Sequence, residues 1–242
     1  MNIHFSDIHQ RTILLTGKEG LEKLKNSHVA IFGLGGVGGY ALEAIARAGV
    51  GTITIVDYDS VESSNINRQV LATIHTLKKL KTDLAEERIL SVNPEAKIYK
   101  HSVYISEENL HLLTEPPPQY AIDAIDTVKS KVVLLEHLYN KGITVVSCMG
   151  AGLRLNPLKI RCEDISKTHT CPLAKAVRSE LKKKGIHKGI ICIFSEEPPK
   201  QKVLKSDEFV TNFNKGIGSI SYLPGIIGLT AGGIIIQKIL KE

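Results

Sequence analysis

Residues 29–59 read VAIFGLGGVGGYALEAIARAGVGTITIVDYD. An apolar, β-branched run from Val29 to Phe32 predicts a strand. A glycine turn follows, and Gly38–Ala48 has a helical pattern. A second run, Thr52–Val56, ends on Asp57 and Asp59. The frame Gly33-x-Gly35-x-x-Gly38, with Gly36 inside it, is the dinucleotide-binding fingerprint. Glycines let the backbone approach phosphate, and the helix N-terminus offers free N–H groups and a positive dipole end. Asp57 lies about twenty residues further on, where a carboxylate accepts hydrogen bonds from ribose hydroxyls. The turn predicts an adenine nucleotide without saying which.

The same alternation continues outward. Ala96–Tyr99, Tyr120–Ile125 and Ile143–Cys148 read as strands; Lys78–Val92, Glu107–Leu113 and Lys129–Lys141 read as helices. This predicts an α/β fold of Rossmann type, a doubly wound and mainly parallel sheet. Beyond Gly150 the pattern changes. LKIRCEDI (158–165) and GIICIFSEE (189–197) read as added C-terminal strands around a helix from Pro172 to Lys184, and EEPPKQKVLKSDEF (196–209) reads as a polar loop. The expectation is one domain over residues 1–242, with a nucleotide half at about 9–150 and a substrate half at about 151–242.

The residues after Asp59 distinguish the nucleotides. A dinucleotide's pyrophosphate is served by a helix N-terminus. A triphosphate needs fixed cations for the leaving pyrophosphate and a carboxylate for Mg²⁺. Asn65, Arg68, Gln69 and Lys81 fall within one segment, and Asp126 ends the fourth strand pattern. The set favours ATP with Mg²⁺ over a hydride-carrying cofactor.

The ordered set G-x-G-G-x-G, D-x-D, S-N-x-x-R-Q, a helix-opening lysine before NP, and D-x-x-D resembles the adenylating domain of the ubiquitin-activating-like superfamily. The resemblance runs through most of residues 9–150. It implies that Asp57 binds ribose, that Asn65, Arg68, Gln69 and Lys81 hold the phosphates, and that Asp126 binds Mg²⁺. Arg11, in HQRTILLTG, matches an arginine that in the superfamily reaches the neighbouring subunit's ATP. Catalytic roles are thus implied for Arg11, Arg68, Lys81 and Asp126.

Members that activate small sulfur-carrier proteins usually hold zinc through paired C-x-x-C motifs. Here the cysteines are Cys148, Cys162, Cys171 and Cys192, and no two have that spacing. The stretches GAGLRLNPLKIRCEDISKTHTCPLAKAVRSELKKKGI and ICIFSEEPP instead resemble the tRNA threonylcarbamoyladenosine dehydratases. That resemblance implies ATP-dependent cyclisation of a modified adenosine next to the anticodon, through an acyl adenylate. One departure stands out: Cys171 occupies the place of an Asp before Pro172. Cys148 and Cys192 sit in apolar strand patterns and read as core. Cys171, at a helix start, is the single weak nucleophile candidate.

The net charge is +6. Lys175, Arg178, Lys182, Lys183, Lys184, His187 and Lys188 cluster on one helix and its exit, with Arg161 and Lys167 before them and Lys200, Lys202 and Lys205 after. The cluster reads either as a solvated helical face or as a tRNA contact surface. Few aromatic residues and no Trp argue against a base-stacking platform. Residues 216–237 carry no charge. Read with Pro224 as a helix start, they form a buried or interface helix; read by length alone, they could anchor in a membrane. With no apolar leader in MNIHFSDIHQR and free thiols, the expected setting is cytoplasmic. Arg11 and the uncharged segment together predict a homodimer, and a sulfur-transfer protein is a further partner to consider.

Overall fold

The computed structural model describes residues 4–200 and 217–241; Lys202, Lys205 and residues 201–209 of the expected polar loop lie outside them. Two helices come first, α1 (Phe5–Ile8) and α2 (Gln10–Lys25), the latter broken at Gly17. Strand β1 (His28–Phe32) then leads through the glycine turn into α3 (Gly38–Ala48), and β2 (Thr52–Val56) follows. Helix α4 (Lys81–Val92), β3 (Lys97–His101), α5 (Leu110–Leu113), β4 (Tyr120–Asp123), α6 (Val128–Asn140) and β5 (Thr144–Cys148) complete the alternation. The second half contributes β6 (Ile160–Asp164), α7 (Pro172–Lys183), β7 (Ile191–Ser195) and α8 (Leu223–Lys241).

These strands form a seven-stranded sheet in the order β3-β2-β1-β4-β5-β7-β6. All pairings are parallel except β6 with β7. β1 and β4 are fully buried, as central strands covered by helices on both faces must be. Strand order reverses between β1 and β4, so a crevice opens beyond their carboxyl ends. Separate apolar cores fill the two faces. Leu42, Ile45, Ile53 and Ile227 belong to one; Phe32, Leu135, Val177 and Phe194 belong to the other.

Helix α8 resolves the two readings of the uncharged segment. It is long and apolar enough to cross a bilayer by length and composition. Yet Ile227, Gly228, Ala231, Gly232 and Ile235 are buried, and the helix lies along α3. A Cβ on Gly228 would fall 2.1 Å from the Val37 carbonyl oxygen, and one on Gly232 would fall 2.5 Å from the Ala44 Cβ. The small residues are where two helix backbones meet, and the apolar ones between them fill the core.

Candidate active site

A cleft of about 670 Å³ lies at the crevice between β1 and β4. Gly33, Gly35 and Gly36 form its floor. Gly33 has φ 90°, and a Cβ there would sit 2.9 Å from the Ala124 carbonyl oxygen. At Gly38 a Cβ would fall 1.7 Å from the Gly33 carbonyl oxygen, so no side chain fits. Gly38 therefore supports the turn from behind. No side chain caps the N-terminus of α3; the Gly39 N–H donates to the Gly35 carbonyl at 3.0 Å, and the positive end of the helix dipole faces the glycine turn.

Asp57 is buried just past β2. One of its oxygens accepts from the Leu34 N–H at 2.6 Å, the other from the Asp59 N–H at 2.8 Å. It ties the glycine turn to the end of β2. Lys81, at the first position of α4, is buried and pairs with Asp59 at 2.8 Å. Asn65, Arg68 and Gln69 come from the segment joining β2 to α4 and line the same cleft. Arg68 lies across Gly36 and donates to the Ser64 carbonyl and the Asn67 side chain. Gln69 is buried, with its Oε1 accepting no hydrogen bond among the described residues.

Asp126 sits opposite, on the loop after β4, exposed and, among the described residues, accepting only from the Thr127 hydroxyl at 3.4 Å. The Tyr58 hydroxyl is pushed above its ordinary range, first by Asp59, then by partial burial and by Asp126 and Asp57, which places these carboxylates around one rim. Among the described residues no three His, Cys, Asp or Glu side chains form a metal cage. One free carboxylate beside a phosphate pocket suits Mg²⁺, which keeps waters and takes most of its remaining ligands from the nucleotide.

Beneath Asp126 lies a pair that sequence reading missed. Lys131 and Asp123 are fully buried and 2.8 Å apart. Lys131 also donates to the Ile125 and Cys148 carbonyls, while Asp123 accepts from the Ser147 hydroxyl and the Ile125 N–H. Every polar atom of the pair is used, and its product is the position of the loop bearing Asp126.

The far wall comes from the second half: residues 150–154 after β5, and Cys171, Pro172 and Leu173 at the start of α7. Arg154 lines it and was not singled out by sequence reading. Cys171 is buried there. Cys148 and Cys192 are core residues, and burial pushes the Cys148 thiol up to about 12.

Arg11 and the basic residues of α7 and its exit lie outside this cleft. Arg11 is exposed on α2 and does not line it; Leu14 and Leu15 beside it are also exposed. The basic helix is less uniform than its sequence implies. Lys175, Lys182 and Lys188 are exposed and form no ion pair among the described residues, whereas Lys183 pairs with Glu180 at 2.6 Å and Lys184 with Glu136 at 2.7 Å. Arg178 is half-buried and donates to the carbonyl and hydroxyl of Thr168. Its place between the buried Ala174 and Leu181 turns it inward, so it braces α7 instead of extending the exposed basic face.

A glycine turn at the switch point of a doubly wound sheet, with the cations Arg68 and Lys81 and the exposed carboxylate Asp126 lining the same cleft, suits an adenylating fold. The chain belongs to the ThiF family, which matches residues 9–242. Among its relatives is the tRNA threonylcarbamoyladenosine dehydratase of Bacillus subtilis, 39% identical over 97% of this chain and 96% of that protein. The protein of the same name from Haemophilus influenzae is 34% identical over 93% of this chain and 90% of its own. The crystal structure of Escherichia coli tRNA N6-threonylcarbamoyladenosine dehydratase, TcdA, in complex with AMP superposes with a TM-score of 0.89 at 30% identity, covering 100% of this chain and 98% of that one.

Proposed function

We propose that this chain is an ATP-dependent tRNA threonylcarbamoyladenosine dehydratase. The observation that carries the reading is the extent of the likeness. It spans 97% of the chain, through the second half as well as the nucleotide half, and both halves wall one cleft. The substrate's threonyl carboxylate attacks the α-phosphate of ATP and pyrophosphate leaves. The carbamoyl oxygen then attacks the acyl carbon, AMP departs with the former carboxylate oxygen, and a nitrogen-bound proton is lost. The ring closes with the net removal of one water. Such a path needs positioning and charge stabilisation and no protein nucleophile.

In this reading the glycine turn and the α3 N-terminus hold phosphate, and Asp57 faces ribose. Asn65, Arg68, Gln69 and Lys81 offset charge on the leaving pyrophosphate. Mg²⁺ at Asp126 would add charge neutralisation there. Purified protein given ATP and tRNA bearing threonylcarbamoyladenosine should yield a nucleoside lighter by one water, detected by mass spectrometry. An unchanged nucleoside, with adenylation of a small carrier protein's C-terminus, would select the sulfur-carrier alternative.

The exposed lysines Lys175, Lys182 and Lys188 form the proposed tRNA surface. Each lysine that meets a phosphate releases condensed counterions, giving a log–log salt slope of roughly −0.7 to −0.9 per contact. Replacing all three by Ala should weaken tRNA binding and flatten the slope by about two to three units. Replacing Lys183 and Lys184 should do less, because each already has a carboxylate partner. A slope unchanged in the first variant would return these lysines to a solvated face.

We also propose a cytoplasmic two-fold homodimer in which Arg11 reaches the partner's cleft. Its exposure outside its own cleft, beside Leu14 and Leu15, supports this. Mixing inactive Arg11→Ala and Lys81→Ala subunits should restore partial turnover, since one composite site is then intact. Proven mixed dimers without activity would refute a shared site.

A further inference from the structure

Three cationic side chains line the cleft among the described residues: Arg68, Lys81 and Arg154. Arg68 and Lys81 stand on the nucleotide side. Arg154 is the one on the wall built by the second half, and its chemical situation differs.

Arg154 is buried, only 4% exposed. Its Nε donates to the Glu197 carbonyl at 2.9 Å, and its Nη1 donates to the Gly150 and Gly152 carbonyls at 2.9 and 3.0 Å. Its Nη2 is buried and donates to nothing among the described residues. No carboxylate pairs with it within 4.0 Å among those residues. The acidic group that feels its charge is Glu197, held below the usual carboxylate range chiefly by the Asn156 N–H, then by the Leu155 N–H, with Lys200 and Arg154 contributing. Both of those backbone bonds fall on one Glu197 oxygen, Oε2.

A buried guanidinium neutralised only by carbonyl dipoles is costly, and an unfilled N–H adds to that cost. Such a group is satisfied by an anion that arrives with a ligand. With Nε and Nη1 already held by carbonyls, Nη2 is the nitrogen left to donate, and a charge-assisted hydrogen bond from it suits a carboxylate. We propose that Arg154 binds the free carboxylate of the acyl substrate and presents it to the α-phosphate. The inference rests on the dehydratase reading and adds the residue that recognises the reacting group. The triphosphate is already served by the glycine turn, Lys81 and Arg68. The carboxylate must enter from the side that the second half builds.

The test compares two anticodon stem-loop RNAs. One carries threonylcarbamoyladenosine as the free acid; the other carries its neutral methyl ester. Binding is measured with wild-type protein, Arg154→Gln and Arg154→Lys, beside ATP affinity for each. The wild type should prefer the acid by about ten- to a hundredfold, the range for a hydrogen bond to a charged group. Arg154→Gln should bind both RNAs at the ester's level and keep its ATP affinity. Arg154→Lys, which keeps the charge but not the guanidinium's hold on the three carbonyls, should keep part of the preference.

Acid preference persisting in Arg154→Gln would overturn the proposal. So would loss of ATP affinity with the preference intact, which would assign Arg154 to a nucleotide phosphate. Weakened ester binding in both variants would also overturn it, marking Arg154 as a support for the loop alone. If the wild-type protein binds neither RNA and converts none, the dehydratase reading itself fails, a result distinct from any change at Arg154.

Discussion

Replacing Asp126 by Asn should leave the fold intact and lower turnover by about 10²–10³-fold, the usual cost of losing one element of charge stabilisation. The four cleft carboxylates explain why the loss concentrates there. Asp57 is engaged by two backbone N–H groups, Asp59 by Lys81 and Glu62 by Lys78. Among the described residues Asp126 accepts only a long hydrogen bond from Thr127. The substitution keeps the side chain's shape and an acceptor oxygen but removes the charge. ATP binding without metal should change little, while the dependence of rate on Mg²⁺ concentration should shift upward. Near-normal turnover at saturating substrate would remove Asp126 from the mechanism.

The second large effect is on stability. Lys131→Met should cost about 3–5 kcal/mol, because it strands a buried carboxylate. That is a substantial part of the roughly 5–15 kcal/mol by which such proteins exceed their unfolded state. Asp123 would keep the Ser147 hydroxyl and the Ile125 N–H but lose its countercharge. Adding Asp123→Asn to Lys131→Met should recover part of the loss, since no unpaired charge then remains buried. Urea unfolding of both single variants and the double variant closes the cycle. Equal stability of Lys131→Met and wild type would mean that water or relaxation satisfies Asp123.

Local physics made one part of this molecule readable. The unit from β1 to β2 follows a single apolar period and a turn only glycine can make, and its boundaries fall within a residue of those expected. Helix α4 starts at Lys81, later than its sequence pattern implies. Lys78 adopts φ 66° and Ser60 bridges Leu80, so the chain is still turning there. Helix α5 is short because the Asn109 side chain binds the Ser106 N–H and the Tyr104 carbonyl, holding a turn before it. Helix α2 was hidden by Gly17 and Gly20, which interrupt its apolar period.

Residue type and spacing were enough to bring Arg68, Lys81 and Asp126 together, and all three line one cleft. The site was illegible where meaning depends on who is adjacent in space. Lys131 and Arg154 look in sequence like any other cation. What sets them apart is burial, and burial is decided by strands that pair across long separations. Arg178 is the converse case: the helical period that buries Ala174, Val177 and Leu181 already places it at the edge of the covered face.

The packing of α8 has a consequence for how the enzyme comes into being on the ribosome. Pro224, at its start, would touch a Cβ on Gly36 at 3.1 Å, and its glycines seat directly on the α3 backbone. Yet α8 follows every other described element in the chain. A nascent chain can therefore pair β1, β2 and β4 long before the helix that presses the phosphate turn into shape has been made. Until then the apolar face of α3 that α8 covers stands open, the kind of transiently exposed surface that favours aggregation.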